Sequence, residues 1–172
     1  MKVELKKWEL EDKEQLIRIC NNVKRDYLSD RLPYPYTEKD ALWWLNMVKE
    51  QEGKEGIFRA ILADGKIVGN ISVERKGDVY CRDAELGYML DTGVWSKGIM
   101  TAAVEEICRE AFSCLDLLRI TALVYEPNIA SRKVLEKNGF VLEGKMKQAV
   151  VKAGKVYDLC IYGKYREVYE EK

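Results

Sequence analysis

Apolar and polar positions along the chain switch between two periods. Val3 to Trp8 alternate in the manner of a half-buried strand. Leu16, Ile19, Cys20 and Val23 then fall at i, i+3, i+4 and i+7, one apolar face of a helix. Leu28 to Tyr36 holds two of the three prolines and is expected as loop. Thr37, with Asp40 three residues on, gives a capping-box pattern, and Ala41, Trp44, Leu45 and Val48 supply the apolar face of a second helix. After a polar break from Gln51 to Gly56, the runs Ile57 to Ala63 and Lys66 to Glu74 meet at Asp64-Gly65, a dipeptide suited to a tight hairpin turn. Gly77-Asp78 marks another turn, and Ala84 to Leu90 another strand. The fullest helical pattern follows over Gly98 to Ser113, where Val104, Ile107, Cys108, Ala111 and Phe112 fall at i, i+3, i+4, i+7 and i+8. Arg119 to Tyr125 predicts a strand, and Ile129 to Asn138 a short helix ended by Gly139. Val141-Leu142 and a hairpin of Gln148–Lys152 and Val156–Tyr162, turning at Ala153-Gly154, complete the sheet. The order β-α-α-β-β-β-α-β-α-β-β mixes hairpins with βα units, which predicts an α/β fold on a mixed sheet. A single domain over residues 1–172 is expected, because no repeat or linker interrupts the pattern.

Composition removes several classes of function. Lys plus Arg and Asp plus Glu are both 29, so no basic excess points to nucleic acid. No apolar run approaches the roughly 20 residues of a membrane span. Met1 to Lys7 mixes charges without a signal-peptide core, so a cytoplasmic location is expected. The five cysteines (Cys20, Cys81, Cys108, Cys114, Cys160) form no C-x-x-C pair, so neither disulfides nor a metal site is indicated; mostly buried thiols are expected. The chain has no histidine. Any proton transfer therefore falls to Glu, Asp, Tyr, Lys, Cys, or a hydroxyl with water.

Candidate chemistry concentrates where a strand, a short loop and the long helix meet, from Asp91 to Thr101. A helix N-terminus presents unpaired N–H groups and the positive end of the macrodipole, which suits a phosphate. Gly98 lacks a Cβ and permits close approach, Lys97 adds charge, and Thr101 adds a hydroxyl. A plain βα connection with an exposed lysine reads the same residues equally well. The Gly-Lys-Ser/Thr order of a P-loop is absent.

Ala84-Glu85-Leu86-Gly87-Tyr88-Met89-Leu90 followed by Trp95-Ser96-Lys97-Gly98-Ile99-Met100-Thr101 resembles the central motif of GNAT acetyltransferases, in particular the RimJ/RimL-type branch that acetylates ribosomal-protein N-termini. Asn128 to Phe140 resembles the next motif of that branch, and Pro33 to Thr37 with Ala41 and Trp44 its N-terminal segment. The resemblance implies a mostly antiparallel sheet of about seven strands with about four helices. It also implies direct acetyl transfer from acetyl-CoA to an amine, without a covalent enzyme intermediate or a metal. On this reading Tyr88, Met89 and Leu90 lie beside the thioester, their main chain polarising its carbonyl. Trp95, Ser96, Lys97, Gly98, Ile99, Met100 and Thr101 hold the diphosphate. Asn128, also an N-cap after Pro127, and Ser131 meet the pantetheine and thiol. Two residues depart from the family pattern. Met100 stands where a small residue is usual, so its side chain must turn away from the cofactor. Leu135 stands where many members carry a thiolate-protonating tyrosine.

The resemblance makes Glu85 the candidate general base, acting through a water, with a solvated or cross-strand-paired glutamate as the plain alternative. Ser131 is the candidate proton donor or thiol contact. Tyr34, Tyr36 and Trp43 are expected to border the acceptor groove, with Trp44 in the core. Tyr157 and Asp158 are expected near the acceptor, unless they only pair in the sheet. Deprotonating a lysine near neutral pH costs roughly 3 kcal/mol more than deprotonating an α-amine, which favours a peptide N-terminus or a small amine as acceptor. A homodimer is a further expectation from the family. The competing reading is a CoA-binding regulatory or interaction module without turnover.

Overall fold

The two sequence periods resolve into seven strands and four helices in the computed structural model, which describes residues 1–166. Strand β1 (Val3–Lys7) leads through a short turn to helices α1 (Lys13–Asn22) and α2 (Glu38–Gln51). Three strands follow: β2 (Gly56–Ala63), β3 (Lys66–Arg75) and β4 (Asp83–Leu90). Then come α3 (Ile99–Cys114), β5 (Arg119–Tyr125), α4 (Ile129–Lys137), β6 (Val141–Lys152) and β7 (Lys155–Tyr165). The sheet order is β1-β2-β3-β4-β5-β7-β6, and only β4 and β5 are parallel. The expected mixed, mostly antiparallel seven-stranded sheet with four helices is therefore what forms.

Local chemistry accounts for the element ends. Asp40 N–H donates to the Thr37 hydroxyl at 3.3 Å, and Thr37 N–H donates to the Asp40 carboxylate at 2.9 Å, closing the predicted capping box. The β2–β3 hairpin turns at Asp64 and Gly65, with φ of 48° and 82°.

Two cores lie on opposite faces of the sheet. One gathers Ile71, Val73, Ala84, Leu86, Ala122 and Val124 under α3, which buries Ile99, Met100, Ala103, Val104, Ile107, Cys108 and Ala111. Burying each large side chain of such a face is worth about 1.5–3 kcal/mol, which fixes α3 against the sheet. The other core joins α1 and α2 to Phe58, Ala60 and Ile67. Arg59 is buried and binds Glu52 beyond α2 and Glu110 on α3, so one cation ties both layers.

Several expectations change. Residues Val141 to Lys152 form one strand, where the sequence pattern gave two pieces. Register shifts interrupt β6 at Leu142/Gly144 and at Met146/Val150, and Gln148 adopts φ 55°, which breaks the side-chain alternation. Trp44 is half-buried rather than core; its ring meets Trp8 edge-on at 5.7 Å between centroids. Cys20, Cys108 and Cys160 are buried thiols as expected, whereas Cys81 and Cys114 are exposed.

Candidate active site

β4 and β5 begin together and then part. Their parallel pairing covers Asp83↔Arg119, Ala84↔Ile120 and Glu85↔Thr121, although β4 continues to Leu90 and β5 to Tyr125. Beyond Glu85 the two strands bound a gap in the middle of the sheet. Asp91 N–H donates to the Val68 carbonyl, in line with the register Gly69↔Leu90 and Asn70↔Met89. Main-chain groups alternate sides along an antiparallel ladder. Glu85, Gly87 and Met89 therefore turn theirs toward β3, and Tyr88 and Leu90 turn theirs into the gap. The Trp95 indole N–H takes the Leu90 carbonyl at 3.0 Å, which leaves the Tyr88 and Leu90 N–H groups facing the gap.

A cleft of about 1170 Å³ runs through this gap. Side-chain alternation gives its two sides different chemistry. Ala84 and Leu86 enter the core under α3, so Tyr88 also lies on that face. Its hydroxyl meets Ser131 Oγ on α4 at 2.5 Å, and burial pushes it up to about 12 against the opposing Ser131 hydrogen bond. Ser72 and Glu74 on β3, and Glu85 on β4, point to the face of α1 and α2 instead. There they line the cleft opposite Leu123 and Tyr125, except Ser72, which sits beneath Glu74.

The cleft's other end is the start of α3. Gly98 is the N-cap at φ 75°, a conformation that favours glycine, and a Cβ there would meet no atom within 4 Å. Ala102 N–H, donating to Gly98, is the first amide of the helix with an intrahelical partner. The amides of Ile99, Met100 and Thr101 are among those a helix leaves unpaired at its N-terminus, and glycine offers no capping side chain. An open cradle of free N–H groups beside Lys97 fits a diphosphate. Lys133 and Lys137, one turn apart on α4, line the same end. The cleft is therefore basic where the helix begins and acidic at Glu74 and Glu85.

A model of the acetyltransferase (GNAT) domain matches residues 2–141. The chain belongs to the GNAT acetyltransferase family. It is 36% identical to the uncharacterized N-acetyltransferase YoaA of Bacillus subtilis (strain 168) over 127 residues, 74% of this chain and 64% of that protein. Two other relatives from that organism are matched over 62% and 52% of their lengths, so the chain spans about half to two thirds of these proteins. The ribosomal-protein-serine acetyltransferase of Escherichia coli (strain K12) is 29% identical over 136 residues, 76% of this chain and 74% of that one. A solved ribosomal L7/L12 alpha-N-protein acetyltransferase, RimL, in complex with coenzyme A shares the fold with a TM-score of 0.84 at 21% identity, covering 95% and 93% of the two chains.

Within this GNAT frame, the cleft brings together Glu85, Tyr88, Met89, Leu90, Trp95 to Thr101, Asn128 and Ser131. Met100 is buried in the core under α3, its side chain packed among the core residues at the start of the helix. Leu135 is fully buried in the same core. The hydroxyl that reaches Ser131 is Tyr88's, from β4 rather than α4. Asn128 caps α4 by accepting the Ser131 N–H at 3.3 Å. Met89 borders the cleft with its side chain, while ladder alternation commits its main chain to β3 rather than to the gap.

The expected acceptor residues separate. Tyr36 is buried between α1 and α2, with its N–H on Asn21 and its hydroxyl pushed up by burial, so it borders no groove. Trp43 is 70% exposed on α2, and Tyr34 is 72% exposed with the Arg25 guanidinium over its ring; neither lines the cleft. Asp158 does not line it either, because its carboxylate accepts the Gln148 N–H at the β6 bulge. Tyr157 sits just behind the wall, stacked on Tyr125 at 5.9 Å.

Tyr27, Leu28 and Arg31, on the loop between α1 and α2, line the cleft in place of Tyr34 and Tyr36, and the sequence pattern did not single them out. Tyr27 on this loop packs edge-on against both Tyr125 and Tyr157 at 6.1 Å. Arg25 holds the loop by donating to the carbonyls of Cys20, Leu32 and Pro33. Asp30 on the loop pairs with Lys152 on β6 at 2.6 Å. Lys133 and Lys137 were missed as well, and their i, i+4 spacing on one helix face is the signal that could have found them.

Proposed function

We propose that this protein transfers an acetyl group from acetyl-CoA directly to a primary amine, a protein or peptide N-terminus or a small amine. The gap between β4 and β5 carries this reading, because it places different side chains on its two faces. The donor's diphosphate is held by the amides of α3 and by Lys97, and its pantetheine arm follows the gap past Asn128. The Tyr88 and Leu90 N–H groups polarise the thioester carbonyl. The amine approaches from the face of α1 and α2 and loses its proton toward Glu85 through a water. Its lone pair attacks the carbonyl carbon, and the thiolate leaves on the opposite face toward Tyr88 and Ser131. The activities of the ribosomal-protein acetyltransferases that this chain resembles support a protein N-terminus as acceptor.

We place this chemistry in the cytoplasm, where acetyl-CoA and ribosomal proteins occur. A homodimer is the assembly we favour, with Val141, Met146 and Val151 exposed on the outermost strand as a self-complementary edge. The test is thiol release from acetyl-CoA with a panel of N-terminal peptides and small amines, followed by mass spectrometry of each acceptor. A gain of one acetyl group on an amine is the expected result. Tight acetyl-CoA binding with no acceptor modified across the panel would instead make the protein a CoA-binding module.

A further inference from the structure

Glu74 and Glu85 are directly opposite each other across the β3–β4 ladder. Opposed residues in such a ladder share a face, with Cβ atoms about 5 Å apart. Both line the cleft at the end of the β4–β5 pairing, where the gap opens. Like charges in this arrangement ordinarily destabilise a sheet. No salt bridge neutralises either residue among the described residues. The groups facing Glu74 are Ser72 on its own strand, Glu85 on β4, and Arg31 from the loop over the cleft. The Ser72 hydroxyl donates to the Glu74 carboxylate at 3.4 Å.

Resting on the proposed transfer to an amine, we propose that Glu74 is the terminal proton acceptor of the reaction, with Glu85 as the group that hands the proton to it. The step balances simply. The ammonium N–H bond breaks, and the proton passes by way of water and the Glu85 carboxylate to form an O–H bond on Glu74. The freed nitrogen lone pair attacks the acetyl carbon, and the carbon–sulfur electron pair leaves with the sulfur. An ordinary carboxylate near 4.3 is a poor acceptor for an α-ammonium near 7.7–8.0, by about three and a half powers of ten. Glu74 narrows that gap, since burial raises its carboxyl and the Glu85 charge adds to the rise, against the Ser72 hydrogen bond and the Arg31 charge. Taking up the proton also removes the like-charge repulsion across the ladder, so the pair is least strained when one of the two is protonated.

Glu74→Gln, Glu85→Gln and the double variant test this in the full chain. Carbon-13 NMR of the glutamate carboxyls reads Glu74 directly, without turnover. Its titration should lie above the ordinary glutamate range and move to lower pH in Glu85→Gln. A Glu74 titration in the ordinary range, or one unmoved by Glu85→Gln, overturns the proposal. In turnover with an α-amine peptide, Glu74→Gln should lower kcat by roughly 10²-fold, within the range of general-base loss, and leave acetyl-CoA affinity unchanged. The double variant should cost no more than Glu74→Gln alone, because both act in one relay. Full additivity, or a Glu74→Gln loss below threefold, refutes the role of Glu74 while leaving acetyl transfer standing. Absence of turnover in the unaltered protein refutes both.

Discussion

Replacing Tyr88 by Phe separates two ways a buried hydroxyl can serve the leaving thiolate. The hydroxyl meets Ser131 Oγ at 2.5 Å on the α4 side of the gap, and burial pushes it up to about 12. A thiol has a pKa of about 8.5. Handing a proton from Tyr88 to a thiolate is thus uphill by about 3.5 units, or about 5 kcal/mol at 1.36 kcal/mol per unit. Full proton transfer from Tyr88 would therefore be a large added barrier, whereas donating a hydrogen bond costs nothing of the kind. The expected loss in Tyr88→Phe is that of one hydrogen bond to a charged group, about 1.5–3 kcal/mol. This corresponds to a kcat lower by roughly 10- to 150-fold. The loss should be the same at every pH below about 10, because the hydroxyl does not ionise there. The assay is thiol release at saturating acetyl-CoA across that range, with the acceptor the panel identifies. A basic limb present in the unaltered protein and missing in Tyr88→Phe would refute the hydrogen-bond role. So would a loss below threefold. Ser131→Ala combined with Tyr88→Phe should be strongly non-additive, since the two hydroxyls share one contact.

Gly98→Glu forces a side chain onto φ 75° and puts a carboxylate where the α3 amides face the cleft; acetyl-CoA affinity by calorimetry should fall at least about 100-fold, and an unchanged affinity would remove the diphosphate from this loop. Arg59→Ala leaves Glu52 and Glu110 without the cation that joins them and should cost about 3–5 kcal/mol in urea unfolding; a loss under about 1 kcal/mol would mean that water replaces the guanidinium. Burial pushes the Cys108 thiol from 9.0 up to about 11, so folding favours its protonated form. That contribution is complete below about pH 9 and is lost as pH rises toward about 11, by about 2–3 kcal/mol. Cys108→Ala should flatten the alkaline fall of stability by this amount, and parallel curves for the two proteins would contradict it.

The parts of the fold that were legible in the sequence are those where one face is buried and the other wet. α3 carries its apolar positions on one face because it covers a single side of the sheet. The Thr37 capping box and the Asp64-Gly65 turn are local, so their chemistry suffices to name them. β6 is the opposite case. It is an edge strand, exposed over most of its length, with Lys145 and Lys147 in its middle. Nothing buries one of its faces consistently, and the bulges shift its phase, so period 2 cannot show. Trp43 and Tyr36 mislead for a related reason: an aromatic in a loop or on a helix says that area is to be buried, not against what. Tyr36 fills the core between α1 and α2, and Trp43 stays in water.

The site divides along the same line. Its basic end was readable because Lys97, Gly98 and the helix start are neighbours in sequence, and one helix terminus defines the chemistry. Its acidic end depends on register. Glu74 closes a predicted strand and Glu85 lies in the next, but their opposition follows only from the ladder Ile71↔Tyr88 to Arg75↔Ala84. A slip of one residue would turn Glu74 toward α3, leave it without Glu85, and bury a lone carboxylate in an apolar core. The same alternation that keeps Val73 and Leu86 in that core sets the two glutamates together on the opposite face of the sheet, toward α1 and α2. Apolar positions that stabilise the sheet therefore also determine where its carboxylates stand, and the opposed pair is the part of the site that local sequence chemistry alone does not reveal.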